Sequence, residues 1–249
     1  DRHFGVGADG LILILPATNG QADVRMQMFN ADGSEAEMCG NGIRCVAKYA
    51  HDHALTTARP MRIETGSGVL SVDFTTDPQD RLLTATVDMG PAVTDPEKVP
   101  VDLNRVRPGS DKHTFDLKVG ASTWTMTAVS MGNPHVVIYV DELTDQHLVH
   151  GAAVETHPAF PNRINVHFVQ VNGPSEVTVK HWERGSGPTL ACGTGACAVC
   201  VAGVLTERTG RDLRAHLPGG DLELTWRPDG HVLMTGSATE VFEGQWPTD

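Results

Sequence analysis

The tetrapeptide Cys-Gly-x-Gly occurs twice in this 249-residue chain, as Cys39-Gly-Asn-Gly42 and as Cys192-Gly-Thr-Gly195. The copies lie 153 residues apart, far beyond the roughly 20–50-residue period of a solenoid. Each copy precedes an apolar stretch of helical pattern. In each, a polar residue stands nine positions before the cysteine, Asn30 in the first and Glu183 in the second. The length suits two units of roughly 125 residues each. The expected fold is therefore α/β of the α+β type, with two similar domains related by a pseudo-two-fold axis.

The rest of the chain is punctuated for short strands. Residues 11–15, 61–64, 69–74, 82–89, 123–129, 135–140, 163–171, 176–182, 222–226 and 231–237 are rich in β-branched and apolar side chains. Stretches 84–89 and 176–180 alternate with period two. Helices are expected over 39–51 and 192–207. In the first, Ile43, Val46, Ala47 and Ala50 make one apolar stripe. In the second, Ala196 to Leu205 is apolar nearly all round, which predicts a helix enclosed by other structure. The proline-containing stretch 90–100 is the expected linker between the halves.

Charge and cysteine usage narrow the function. A formal net charge of −12 argues against nucleic-acid and anionic-membrane partners. No apolar run approaches the roughly 20 residues of a spanning helix. Five cysteines, an odd number in a chain too large to need disulfide staples, read as reduced thiols and point to the cytoplasm. No secretory leader is visible, though the sequence begins at Asp1 rather than Met.

A cysteine at a helix start meets unsatisfied N–H groups and the positive end of the helix dipole, which favour thiolate and lower the thiol pKa. Glycines bare the backbone, so the amides of Gly40, Asn41, Gly193 and Thr194 can approach an anion. Two facing copies would grip one carboxylate with a thiol on each side of the adjacent carbon. That suits a two-base racemase, because inversion needs an acid and a base on opposite faces. Helix N-termini would stabilise the enolate-like charge. Cys45, Cys197 and Cys200 fall within helices and are expected to be small core hydrophobes.

At these residues the sequence resembles the diaminopimelate epimerase family. The likeness spans Asp1-Arg-His-Phe-Gly-Val-Gly-Ala-Asp-Gly10, Phe29-Asn-Ala-Asp-Gly-Ser34, Met38 to Cys45, Met131-Gly-Asn-Pro-His135, the Asn165 segment, Glu183-Arg-Gly185 and Ala191 to Ala196. Asn41 separates it from the proline racemase and hydroxyproline epimerase relatives, which usually carry histidine there. The resemblance implies cofactor-independent epimerisation of LL-2,6-diaminopimelate to the meso form, a lysine and peptidoglycan precursor, with no metal. It implies Cys39 and Cys192 as the acid/base thiols, with Gly40, Asn41, Gly193 and Thr194 on the reacting carboxylate. Asn30, Asn133, Asn165, Glu183 and Arg184 would bind the distal end of the substrate, and His135 and Glu183 would tune the thiols. Each domain would be a curled, mostly antiparallel sheet around a central helix, spanning 1–92 plus 239–249 and 93–238. A last strand near 240–243 would return to the first domain. A homodimer is the assembly allowed. The family's opening strand, with a substrate-contacting asparagine, is expected to precede Asp1. Pro188 and Gly10 depart from family habit without touching an assigned role.

Rival readings are weaker. The main enzymatic alternative is a cofactor-independent racemase of the proline racemase type. Gly5-Val-Gly-Ala-Asp-Gly10 matches a dinucleotide fingerprint but precedes a strand rather than a helix. Cys192, Cys197 and Cys200 match an iron–sulfur spacing, yet they sit on an apolar helix that would splay them apart. None of Lys48, Lys98, Lys112, Lys118 and Lys180 has the context of a Schiff-base lysine. His51 and His53 read as surface histidines at a helix end.

Overall fold

In the computed structural model, residues 6–8, 10–18, 20–30, 33–36 and 39–245 are described. Asp1 to Phe4, Ala31-Asp32 and Met38, parts of the expected motifs, lie outside the described residues. The chain divides into two compact units, Asp1–Val87 with Gly236–Asp249, and Asp88–Thr235.

The first unit opens with the hairpin β1 (Gly10–Leu15) and β2 (Val24–Asn30), in which Ile12 pairs with Met28 and Ile14 with Met26. A two-residue strand, β3 (Glu35–Ala36), pairs back onto β2 before the helix α1 (Gly40–Asp52). Strand β4 (Met61–Thr65) then runs parallel to β2, followed by β5 (Gly68–Thr76) and β6 (Leu82–Pro91), each antiparallel to its predecessor. Period-two patterning sends Met61 and Ile63 of β4 and Val72 and Phe74 of β5 into the core. Helix α1 buries Ile43, Val46, Ala47 and Ala50 against β1, β2 and β4, as its one apolar stripe requires.

The second unit begins with β7 (Arg107–Pro108), β8 (Phe115–Val119), β9 (Ser122–Ser130) and β10 (Pro134–Tyr139), antiparallel in turn. A short helix, α2 (Gly151–Glu155), precedes β11 (Asn165–Gly173), which runs parallel to β10. From β11 onward the order of the first unit recurs. Strand β12 (Glu176–Glu183) closes a hairpin, and the short β13 (Gly187–Thr189) pairs back onto it. Helix α3 (Gly193–Leu205) follows, then β14 (Asp212–Leu217) parallel to β12, and antiparallel β15 (Gly220–Trp226) and β16 (His231–Ser237). Helix α3 packs on β9, β10 and β11 and also on β14 and β15, so the sheet curls round it. Its ten residues from Gly193 and Gly195 to Gly203 are buried, which its all-round apolarity permits.

Two expectations change. Stretch 90–100 is no free linker: Val93 pairs with Ser130, and Val99 and Val101 are buried in the second unit's core with Phe115, Leu117 and Phe160. The apolar side chains at 99 and 101 outweigh the prolines. Residues 240–243 form no strand; among the described residues the last one ends at Ser237.

Candidate active site

Cys39 and Cys192 occupy the same post in their respective units. Each is the N-cap of a 13-residue helix, with extended backbone (φ −138°, ψ 115° and φ −129°, ψ 107°). Each carbonyl accepts the first helical hydrogen bond, from Ile43 and Ala196, at 2.9 Å. The last glycine of each tetrapeptide is required by packing. A Cβ on Gly42 would sit 2.6 Å from Ile12 Cδ1, and one on Gly195 would collide with the His167 ring.

At the first helix start, Cys39 is half-buried and its Sγ accepts from the Gly42 amide at 3.3 Å. Gly40 is buried and Asn41 half-buried. The buried Arg44, which sequence reasoning passed over, donates to Gly40 O at 3.1 Å, Asn41 Oδ1 at 3.2 Å and Ser237 O at 3.4 Å. Arg44 thereby ties the helix start to the returning tail. Asn30 ends β2 on the exposed side, its amide donating to Ser34 Oγ at 3.0 Å.

At the second helix start, Cys192 is buried, 5% exposed. Its thiol is pushed up, first by burial and then by the Glu183 carboxylate, while the Thr194 hydroxyl, 3.6 Å from Sγ, pulls the other way. The thiolate expected from a helix start is thus overruled here, because desolvation penalises the charged form more than the helix end favours it. Glu183 ends β12 and accepts from the Thr189 hydroxyl at 2.5 Å. Asn133 donates to Thr194 Oγ1 at 3.3 Å, and its Oδ1 lies 2.9 Å from His135 Nε2. Asn165 spends its amide on structure, donating to Pro134 O and accepting from the Arg184 backbone, each at 2.9 Å. The Arg184 guanidinium donates to Asn162 O at 3.1 Å.

His135 is fully buried, and its pKa falls to about 3, through burial first and then the charges of His181 and Arg184. It is neutral and lends no positive charge to a thiol. The structure adds His167 and His181, which no motif had marked. His167 Nε2 lies 2.9 Å from His135 Nδ1, and His167 Nδ1 lies 2.7 Å from His181 Nδ1. Cys197 and Cys200 are buried as expected, but Cys45 is exposed. Among the described residues, His53, Glu240 and Glu243 bring ligand atoms within 4.8 Å of one another, and Arg81 already pairs with Glu240 at 3.6 Å.

The fold is that of the racemases and epimerases built from paired α+β units. A probable proline racemase from Agrobacterium radiobacter superposes with a TM-score of 0.68 at 16% identity, over 96% of this chain and 76% of that one. The diaminopimelate epimerase family model matches residues 1–94 and 127–241. The chain is 48% identical to the diaminopimelate epimerase of Pelotomaculum thermopropionicum over 99% of its own length and 86% of the relative's. It is 46% identical to that of Leptospira biflexa, over 98% and 86%. The chain belongs to the diaminopimelate epimerase family and is an isomerase.

Proposed function

We propose that this protein converts LL-2,6-diaminopimelate to the meso form without a cofactor, with Cys39 and Cys192 as the acid and base. The observation that carries this reading is the repeated N-cap cysteine, held at a glycine-bared helix start in two units of one family fold. One thiolate takes the α-proton and the other thiol returns a proton to the opposite face. The amides of Gly40, Asn41, Gly193 and Thr194 stabilise the charge that develops on the reacting carboxylate. Burial keeps Cys192 in its thiol form in the resting enzyme, so it is the partner that carries the proton before turnover. Glu183 raises that preference and is the tuning group of this helix start. Asn30, Asn133, Asn165 and Arg184 are proposed for the distal amino-acid end, where a guanidinium suits a carboxylate. Five free cysteines fit a reducing cytoplasm.

The test is incubation with LL-diaminopimelate in D2O, followed by proton NMR of the α-carbons, with proline as the control substrate. Deuterium at one α-carbon with appearance of the meso form is expected without any addition. Exchange into proline alone, or a requirement for pyridoxal phosphate or metal, would sink the reading.

A further inference from the structure

Three histidines are buried side by side in the second unit: His135, His167 and His181 are 0%, 0% and 1% exposed. They stand on adjacent strands. His167 of β11 lies directly opposite His181 of β12, and His135 of β10 pairs with Asn165, two residues before His167. Burying three imidazoles desolvates groups that apolar side chains would replace at less cost. Their contacts continue without a break to a cysteine, from His181 through His167, His135, Asn133 and Thr194 to Cys192 Sγ.

The protons of this chain can be counted. A neutral imidazole has one N–H and one bare nitrogen, and a primary amide has one acceptor end and one donor end. All three histidines are neutral: burial takes His135 and His181 down to about 3 and His167 well below its ordinary value. Two self-consistent arrangements follow. In one, every donor points toward the sulfur: His181 Nδ1–H to His167, His167 Nε2–H to His135, His135 Nε2–H to Asn133 Oδ1, and Asn133 N–H to Thr194 Oγ1. The Thr194 hydroxyl hydrogen is then left for Cys192. In the other, every bond is reversed, the Asn133 amide is flipped, and Thr194 spends its hydrogen on Asn133. His181 Nε2 has no hydrogen-bond partner among the described residues. It is a bare acceptor in the first arrangement and an orphaned buried N–H in the second, and orphaned buried N–H groups are the rarer of the two.

We infer that His167 and His181 are positioning residues for Cys192, acting with His135 as a one-directional chain of donors that fixes the Asn133 amide and leaves the Thr194 hydroxyl to donate to the sulfur. The chain stabilises the thiolate that Cys192 must form each time it serves as base, against the burial and the Glu183 carboxylate that oppose it. This deepens the acid/base role proposed above and rests on it for its catalytic meaning, but not for its geometry.

The test uses the full chain without substrate. With 15N-labelled histidine, NMR at neutral pH should show His135 and His167 as Nε2–H tautomers and His181 as the Nδ1–H tautomer. The reversed set, or an imidazolium at any of the three, would overturn the inference. Next, alkylation of Cys192 by iodoacetamide, followed by peptide mapping across pH, should slow about fivefold at a given pH in His167→Leu, since the neutral hydrogen bond that holds His135 in its donor tautomer is lost. His167→Gln, whose amide can still donate to His135, should restore it. Where His167→Leu fails to fold, His181→Leu is the second variant, with a smaller slowing in the same direction. Folded variants that alkylate at the parental rate would show the histidines to be core filling only. With substrate, His167→Leu should lower kcat and leave KM unmoved. These resting-state readings are made without turnover, so a protein inactive on diaminopimelate but with the forward tautomer set would sink the proposed function and leave the donor chain standing.

Discussion

Cys39 and Cys192 cap their helices with nearly the same backbone, yet one sulfur is half-exposed and the other lies inside its unit. The difference comes from the helices behind them. Helix α1 buries one stripe and shows its other side to solvent, whereas α3 is wrapped by strands on several sides. A helix start alone therefore does not set the acidity of a thiol. At Cys192, burial and the Glu183 carboxylate outweigh it, and side-chain donors must supply what the helix end does not. The polar residue nine positions upstream differs accordingly: neutral Asn30 on the open side, Glu183 on the enclosed one.

The comparison can be broken most decisively at the sulfurs. Cys39→Ala and Cys192→Ala should each lower epimerisation by about 10³-fold or more, because either loss leaves one face of the centre without its acid or base. An assay of meso-diaminopimelate formation checks this, and a variant that still turns over would end the equivalence of the two posts. The next largest effect is on acid stability, confined to the second unit. Its buried histidines stay neutral in the fold and take up protons on unfolding once pH drops below the ordinary histidine value. Stability is thus complete above about pH 6.5 and lost as pH falls toward 3. At pH 5 the loss should be about 2 kcal/mol for each of His135 and His181. Hydrogen exchange at pH 7 and pH 5 should show β10 to β12 loosening well before β4 and β5.

The glycines sharpen the contrast further. Gly195→Ala drives a methyl group into the His167 ring and should cost about 1–3 kcal/mol in thermal or urea unfolding. Gly42→Ala meets first the flexible end of Ile12 and then Cys39 Cβ at 3.3 Å, a looser fit than the imidazole ring, and should cost less. The smallest effect is expected at Cys45. Cys45→Ala should change stability by less than about 0.5 kcal/mol and leave turnover intact, since its thiol is exposed.

Much of this was legible in the chain. The two tetrapeptides marked both helix starts within a residue, and strand 231–237 stands where its patterning placed it. Strand β2 escaped because Met26 and Met28, its inward side chains, carry little strand preference. Strand β14 carries period two, with Asp212, Arg214 and His216 between Leu213, Ala215 and Leu217, but it escaped because it holds no β-branched or aromatic residue. Strands β3, β7 and β13 are too short for any period to show. The histidines were illegible for another reason. His135, His167 and His181 meet only through the register of three strands, and a linear sequence does not display register. The acidity of Cys192 was misread on the same ground, because burial is a property of the assembled unit.

The division of the chain also orders its birth. The second unit is one continuous segment, Asp88–Thr235, whereas the first is completed only by residues from Gly236 onward. Synthesis usually lets N-terminal units fold first. Here the inner unit, with Cys192 and its histidines, can close while the outer one still waits. The bond from Arg44 to the Ser237 carbonyl, which braces the Cys39 helix start, cannot form until residue 237 has left the ribosome. The cysteine that is translated first is the one whose surroundings mature last.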